Sequence, residues 1–226
     1  MPFLTRYEDD DRPPALGSAL RDIAVRAIAP GVLVWLALFG IGLLITGPLG
    51  DPPAEDAAIR ALQQGRTPVW DGVTMVWSRL GNTEIIIATC LVMVAILWWR
   101  TRRWWIALIP ALAISLQATI FVTVTTLVDR NRPQAQELDP APPTSSYPSG
   151  HVGAAFALYL SLALVAHRVQ NPVLRRTLQA VCLVVPFLVA FARMYRGMHH
   201  PSDVLVGMGN GVVCALLAWG YLRRRD

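Results

Sequence analysis

The stretch WWIALIPALAISLQATIFVTVTTLV, residues 104–128, carries no charged side chain over 25 residues. A helix needs about 20 predominantly apolar residues to cross a bilayer, so this stretch is long enough for one span. A second uncharged run covers residues 27–50, and further apolar runs cover residues 85–99, 151–166, 177–192 and 204–222. The pattern predicts an all-α protein, a six-span transmembrane helical bundle with short loops.

The composition agrees with a membrane domain. Of 226 residues, 54% are hydrophobic and only 15% are charged, whereas ordinary soluble domains carry about 25% charged residues. This excludes a disordered chain, a coiled coil and a soluble nucleic-acid binder of the usual kind. The net charge of +5 invites a nucleic-acid partner, but most arginines lie beside apolar runs. We therefore expect the lipid bilayer as the partner, no nucleic acid, and one domain over residues 1–226.

The arginines predict how the chain is oriented. All 20 basic residues are arginines, and six spans place 13 of them on one side. Because basic residues near span ends mark the cytoplasmic side, both termini are predicted to be cytoplasmic, including the segment 1–26. The outer loops are then residues 51–84, 129–151 and 193–203. We expect a multi-pass protein of the cell (inner or plasma) membrane with these loops on the extracytoplasmic face.

Within the first outer loop, residues 57–62 and 70–80 have the pattern of amphipathic helices. Such helices either lie in the membrane interface or form a packing cap on the bundle, and the sequence leaves both alternatives open. The second outer loop is rich in proline and serine, so it is not a span.

Ionisable side chains gather in the second and third outer loops. Four of the seven outer arginines and three of the four histidines lie there, namely Arg130, Arg132, Arg193, Arg196, His151, His199 and His200. Arginine at an interface often snorkels to water, but snorkelling does not explain why histidines join it. Because the guanidinium fork matches phosphate oxygens, the cluster indicates an anion site.

Two of these segments precede apolar helices. At residues 148–151, Ser149 and the amides of Gly150 and His151 lie at a predicted helix N-terminus, which favours phosphate. In the last segment, Asp203 follows His199 by four residues, so its carboxylate is expected to accept a hydrogen bond from one ring nitrogen of His199. The other nitrogen then stays free, which makes the ring a nucleophile.

The combination resembles the type 2 phosphatidic acid phosphatase superfamily, which also includes acid phosphatases and vanadium haloperoxidases. Its three motifs are KxxxxxxRP, PSGH and SRxxxxxHxxxD. The second is complete at residues 148–151, and the first matches at Arg132 and the proline after it. The third matches at the positions of Arg193, His199 and Asp203.

The resemblance implies a mechanism without metal or cofactor. His199 attacks phosphorus and forms a phosphohistidine, Asp203 orients it, and His151 protonates the leaving oxygen and then activates water. The residues implied to hold the phosphoryl oxygens are Arg132, Arg193, Ser149 and Gly150.

Two positions depart from the motifs. Thr125 stands where the first motif has lysine, and Ala192 stands where the third has serine. Arg130 either supplies the missing charge as a phosphate-binding residue or is a solvated side chain. Arg196 either binds substrate or lies at the rim, and His200 is expected to be a bystander because only His199 has the motif spacing.

The resemblance implies an integral membrane phosphatase that hydrolyses a lipid phosphate or diphosphate. Polyprenyl diphosphate, phosphatidate and phosphatidylglycerophosphate are the expected substrates. The alternatives are a lipid phosphotransferase and a catalytically silent lipid-binding or scaffold member that lacks the motif lysine. A haloperoxidase and a zinc cluster at the last motif are disfavoured, the first because a membrane-buried chain suits lipids and the second because arginines surround the site.

Overall fold

The computed structural model describes residues 13–50, 52–140 and 144–221, and this part of the chain contains eight helices and no strand. The helices are α1 (Leu16–Thr46), α2 (Pro53–Gln64), α3 (Pro68–Arg79), α4 (Thr83–Thr101), α5 (Trp104–Leu127), α6 (Gly150–Ala166), α7 (Pro172–Tyr195) and α8 (Pro201–Gly220). The all-α prediction is confirmed over these residues. Residues 1–12 and 222–226, with five of the arginines assigned to the cytoplasmic side, lie outside them.

Five of the helices, α1, α4, α5, α7 and α8, are long and apolar enough to cross a membrane. The remaining apolar run, the fourth along the chain, forms α6, which is 17 residues long and packs against α5, α7 and α8. Most of its side chains contact protein, which is why an apolar run of this length is stable at the centre of the bundle. The six-span count and the cytoplasmic termini stay predictions.

The first outer loop contains the two helices that its amphipathic patterns predicted, α2 and α3. Both pack on α7, and Trp70 and Trp77 of α3 make edge contacts with Phe191. Gln63 of α2 donates to the carbonyl oxygens of Gln136 and Tyr195 at 2.8 and 3.2 Å. These contacts correspond to the packing-cap alternative, since both helices cover one end of the bundle.

Helices α6 and α8 approach each other through glycines. A β-carbon at Gly211 would lie 2.4 Å from the carbonyl oxygen of Gly153, and one at Gly207 would lie 2.6 Å from that of Ser149. Small residues four apart allow such close backbone contact between apolar helices. The contact holds the N-terminus of α6 against the first turns of α8, and both segments carry predicted site residues.

Candidate active site

A cavity of about 400 Å³ lies between α4, α5 and the N-terminus of α6. Five of the predicted site residues line it, namely Arg132, Gly150, His151, Arg193 and His199. The loops before α6 and α8 supply its polar end, and α4 and α5 supply apolar side chains. The predicted residues of all three motifs therefore meet at one end of the bundle.

His199 lies in the segment between α7 and α8 and is buried. Its Nδ1 donates to the carbonyl oxygen of Ser146 at 2.8 Å, which leaves Nε2 as the ring nitrogen that can attack. Burial, and after it the charge of Arg193, lower the pKa of His199 well below its usual range. The ring is therefore neutral at pH 7, the protonation state that a nucleophilic histidine needs.

The expected hydrogen bond from His199 to Asp203 is not the one that forms. Asp203 lies in the first turn of α8, and its Oδ2 folds back to accept from the amide of His200 at 2.9 Å, as acidic residues at this position of a helix commonly do. The same oxygen accepts from the Ser146 hydroxyl, and Oδ1 pairs with Arg130. Asp203 is thus linked to His199 through Ser146, whose hydroxyl binds the carboxylate and whose carbonyl binds the ring.

Arg130 lies between two carboxylates rather than in solvent. Its side chain is fully buried and pairs with Asp203 and with Glu55 of α2, the latter at 2.7 Å. It also donates to the hydroxyl of Ser202 at 2.8 Å. Two carboxylates hold its buried guanidinium, so Arg130 is not the solvated side chain that was one of the two alternatives. It is not among the described residues that line the cavity, and its role as a phosphate-binding residue stays a prediction.

His151 occupies the first turn of α6, and its Nε2 lies 3.2 Å from Oδ1 of Asn82. Asn82 is the N-cap residue of α4, yet its side chain makes no capping hydrogen bond. Asn82 was not predicted as a site residue, because an asparagine before an apolar run indicates a helix cap and does not indicate a contact with a histidine of another helix.

The predicted phosphate-binding groups include two polar atoms without a partner. Among the described residues, Nε of Arg193 and Oγ of Ser149 are buried and make no hydrogen bond. Buried polar atoms are nearly always paired, so both atoms have an unused hydrogen-bonding capacity. Arg193 lines the cavity, whereas Ser149 is not among the described residues that line it. A β-carbon at Gly150 would lie 2.6 Å from the ring of Phe121, so a larger residue at the start of α6 would displace that ring.

Arg132 and Arg193 differ in how they are held. Arg132 donates to the carbonyl oxygen of Met198 at 2.6 Å, which anchors it at the polar end of the cavity. Arg193 donates to Asp139 at 2.9 Å and to the hydroxyl of Ser78 at 3.1 Å. An acidic side chain from the proline-rich loop therefore already neutralises part of the charge of Arg193.

Asp139 also binds Arg196. Arg196 donates to Asp139 at 2.8 Å and to the carbonyl oxygens of Asp71 and Leu138 at 3.0 and 2.8 Å, so it ties the proline-rich loop to α3. Burial alone would raise the pKa of Asp139, but the hydrogen bond from Arg196 and the charge of Arg193 hold it below its usual range. Asp139 is thus ionised, and no motif in the sequence predicts its contact with the two arginines.

His200 is more than the expected bystander. It is buried, and its amide and ring both lie against Asp203, with the ring Nδ1 at 3.3 Å from Oδ2. Its Nε2 lies 3.4 Å from Asp56 of α2. These contacts give it a structural role in the first turn of α8, while His199 alone of the two lines the cavity.

Comparisons with known proteins identify the family and the fold. A family model described as the PAP2 superfamily matches residues 104–226, and these residues include all three motifs. The chain has the fold of a PAP2-type phosphatidylglycerolphosphate phosphatase from Bacillus subtilis, with 22% identity and a TM-score of 0.70 over 85% of this chain and 94% of that one. It also has the fold of LpxE from Aquifex aeolicus, with 22% identity and a TM-score of 0.60 over 75% of this chain and 96% of that one. A search of curated protein sequences finds no significant match.

Proposed function

The chain belongs to the PAP2 superfamily, and on that premise we propose that it is an integral membrane phosphatase which hydrolyses a lipid phosphate or diphosphate. One observation carries the proposal: a single cavity joins two histidines and two arginines at its polar end to an apolar wall from α4 and α5. An amphiphilic substrate matches both ends. The fold shared with a phosphatidylglycerolphosphate phosphatase supports the same conclusion.

The proposed reaction has two steps. Nε2 of His199 attacks phosphorus, the bond to the leaving oxygen breaks, and His151 donates a proton to that oxygen. The phosphoryl group is then a phosphohistidine. In the second step His151 takes a proton from water, the resulting oxygen attacks phosphorus, and phosphate leaves as His199 is regenerated.

The electrostatic contribution comes from donors aimed at the phosphoryl oxygens. Arg132, Arg193, the Ser149 hydroxyl and the Gly150 amide are the proposed set, and donors placed where charge develops lower the barrier most. Asp203 and Arg130 act indirectly, by fixing the backbone that binds His199. Because the described cavity residues include two arginines and no carboxylate, the donor set suits an anion better than a divalent cation, and we propose metal-independent hydrolysis.

Phosphate release by the purified protein tests this function. The substrates are phosphatidate, phosphatidylglycerophosphate and a polyprenyl diphosphate, each with and without excess chelator. We expect release that survives the chelator and disappears in His199→Ala. Loss of activity with chelator and recovery with Mg²⁺ would overturn the phosphohistidine reaction. Lipid binding without any release would favour the silent scaffold, for which the threonine at position 125 is the supporting observation.

We further propose six spans, with α6 as the fourth, and an active site on the extracytoplasmic face of the cell membrane. The support is the arginine distribution, since Arg175 and Arg176 lie at the opposite end of α7 from Arg193. Single cysteines at the exposed positions Thr144 and Arg176, in a variant without native cysteines, test it. A membrane-impermeant thiol reagent should label Thr144→Cys in intact cells and spare Arg176→Cys, and the reverse pattern would invert the topology.

A further inference from the structure

Arg193 makes its hydrogen bonds to the protein through one amino group. Nη1 donates to Oδ2 of Asp139 at 2.9 Å and to Oγ of Ser78 at 3.1 Å. In the part of the chain that the structure describes, Nε is buried without a partner and Nη2 makes no hydrogen bond. Nε and Nη2 form one edge of the guanidinium, and their parallel N–H groups match two oxygens of one phosphate. Because Arg193 lines the cavity, this edge is the part of the side chain that remains for an anion.

The carboxylate of Asp139 is itself held in place from α3. Its Oδ1 accepts from Nε and Nη2 of Arg196 at 2.8 and 2.7 Å, and its Oδ2 accepts from the Ser78 hydroxyl at 3.0 Å. Arg196 is buried, and its Nη1 donates to the carbonyl oxygen of Asp71 and to the hydroxyl of Thr74. Helix α3 therefore supports both oxygens of Asp139, one directly through Ser78 and the other through Arg196.

A carboxylate beside a phosphate ligand has two opposite effects on anion binding. Its negative charge disfavours the anion, while its hydrogen bond orders the donor that the anion needs. An arginine side chain loses considerable rotamer freedom when it is fixed, and Asp139 and Ser78 have already fixed Arg193. Because Arg193 and Arg196 together carry more charge than one carboxylate, the net charge there stays positive. We therefore expect the ordering effect to exceed the electrostatic cost.

We propose that Asp139 is a positioning residue for phosphate binding, which fixes Nη1 of Arg193 so that the edge formed by Nε and Nη2 faces the phosphoryl group. The inference rests on the proposed function, which places the phosphoryl group beside Arg193. Helix α3 lies before residues 104–226, the part of the chain that the family model matches. The proposal thus gives a helix of the cap a part in phosphate binding.

Phosphate affinity measured without turnover tests the proposal. Isothermal titration calorimetry on the full-length protein in detergent gives the dissociation constant for inorganic phosphate. In Asp139→Asn the remaining side-chain oxygen stays opposite Arg196, so the new NH₂ group meets Nη1 of Arg193 as donor against donor. We expect phosphate binding to weaken about tenfold, the scale of one hydrogen bond to a charged group. If Asp139 only neutralised the charge of Arg193, this variant would bind phosphate more tightly, and the proposal would be overturned.

A double-mutant cycle shows whether Asp139 acts through Arg193. Arg193→Lys keeps the positive charge but lacks the edge with two donors. In that background Asp139→Asn should change the dissociation constant by less than about twofold, and equal losses in both backgrounds would overturn the proposal. Ser78→Ala removes the second acceptor of Nη1 and keeps the carboxylate. It should weaken phosphate binding about threefold, and it tests the proposal if Asp139→Asn does not fold.

Asp129→Asn is the matched control, because it makes the same substitution at an exposed residue of the same loop. It should leave the dissociation constant unchanged. Phosphate binding that weakens as expected, in a protein that releases phosphate from no lipid, would overturn the proposed function and keep this inference. Release from lipids, with phosphate affinity unchanged or raised in Asp139→Asn, would overturn this inference and leave the phosphatase intact. A wild-type protein that binds no phosphate would also overturn it.

Discussion

Oδ1 of Asn82 binds Nε2 of His151 at 3.2 Å, although Asn82 is the N-cap residue of α4. An asparagine at this position usually accepts from an amide of its own helix. Here the side chain instead holds a ring in the first turn of α6. The proposed acid is thus oriented by a helix that contributes no motif residue.

Asn82→Ala should impair the step in which the leaving oxygen is protonated. General acid catalysis typically contributes about 10²–10⁴ in rate, and loss of the orienting partner should remove about tenfold of it for a lipid substrate. The loss should be smaller for p-nitrophenyl phosphate, whose leaving group needs little protonation. Equal losses on both substrates would contradict this role. Glu84→Gln, an exposed change in the same turn of α4, should change neither rate.

Arg130→Ala should lower stability more than phosphate affinity. The substitution leaves Asp203 and Glu55 without their buried partner, and breaking a buried ion pair typically costs about 3–5 kcal/mol. The thermal midpoint in detergent should fall sharply, and Thr125→Lys should not restore it. Arg60→Ala, which removes an exposed arginine of α2, is the control. An unchanged midpoint with weaker inhibition by inorganic phosphate would instead make Arg130 a phosphate ligand.

Ser146→Ala should be milder than Asp203→Asn. The alanine removes the hydroxyl that binds Asp203 but keeps the carbonyl that binds His199. A hydrogen bond to a charged group is typically worth about 1.5–3 kcal/mol, so losing this one should reduce kcat by about tenfold to a hundredfold. Asp203→Asn also disturbs the pairs with Arg130 and His200, and its loss should be at least ten times larger. Similar kcat values for the two variants would contradict this prediction, because they would show that Asp203 acts almost entirely through the Ser146 hydroxyl and that its contacts with Arg130 and His200 contribute little to turnover.

The stability of the folded protein should depend on pH because the ring of His199 is buried in its neutral form. Burial and the charge of Arg193 lower its pKa in the folded protein, whereas in the unfolded chain it takes up a proton below about pH 6.5. Stability is therefore complete above that pH and is lost as the pH falls towards the folded value. The thermal midpoint should fall more steeply from about pH 7 to pH 5 in the wild type than in His199→Gln. Parallel curves would show that His199 does not titrate abnormally.

The two adjacent histidines should differ in the chemistry that they support. His199→Asn should abolish both turnover and any acid-labile phosphoenzyme, because only this ring lines the cavity. His200→Asn places a good capping residue at the start of α8, so it should lower the thermal midpoint slightly and keep the phosphoenzyme. Rapid trapping with a labelled substrate checks both. Phosphoenzyme in His199→Asn would shift the nucleophile to His200.

The helices and the motif residues were predictable because their signals are local. Uncharged runs of membrane length predicted α1 and α5, and amphipathic patterns predicted α2 and α3. The spacing of Arg193 and His199 was also readable, since both flank the same short turn. Such signals need only neighbouring residues, and the structure brings the predicted cavity residues together.

The hydrogen-bond partners were not predictable, because they depend on which loops meet. Asp203 has the spacing of a carboxylate that orients His199. Its side chain instead caps α8 and contacts Ser146 and Arg130, which belong to a different loop. Asp139 lies in a proline-rich loop without a motif, and only the packing of that loop on α3 brings it to Arg193 and Arg196. Tertiary placement of loops decides these contacts, and no periodicity encodes it.

The glycine contact between α6 and α8 separates two kinds of evolutionary change. The distance between His151 and the segment with His199 is set where the backbones of α6 and α8 touch, at Gly207 and Gly211. Any larger residue at these two positions forces the helices apart. The apolar wall of the cavity, by contrast, consists of side chains of α4 and α5, and apolar side chains can be exchanged for others of similar volume. New lipid preferences can therefore arise by drift in the wall while the reaction chemistry stays constant, and a library confined to α4 and α5 is the economical place to look for them.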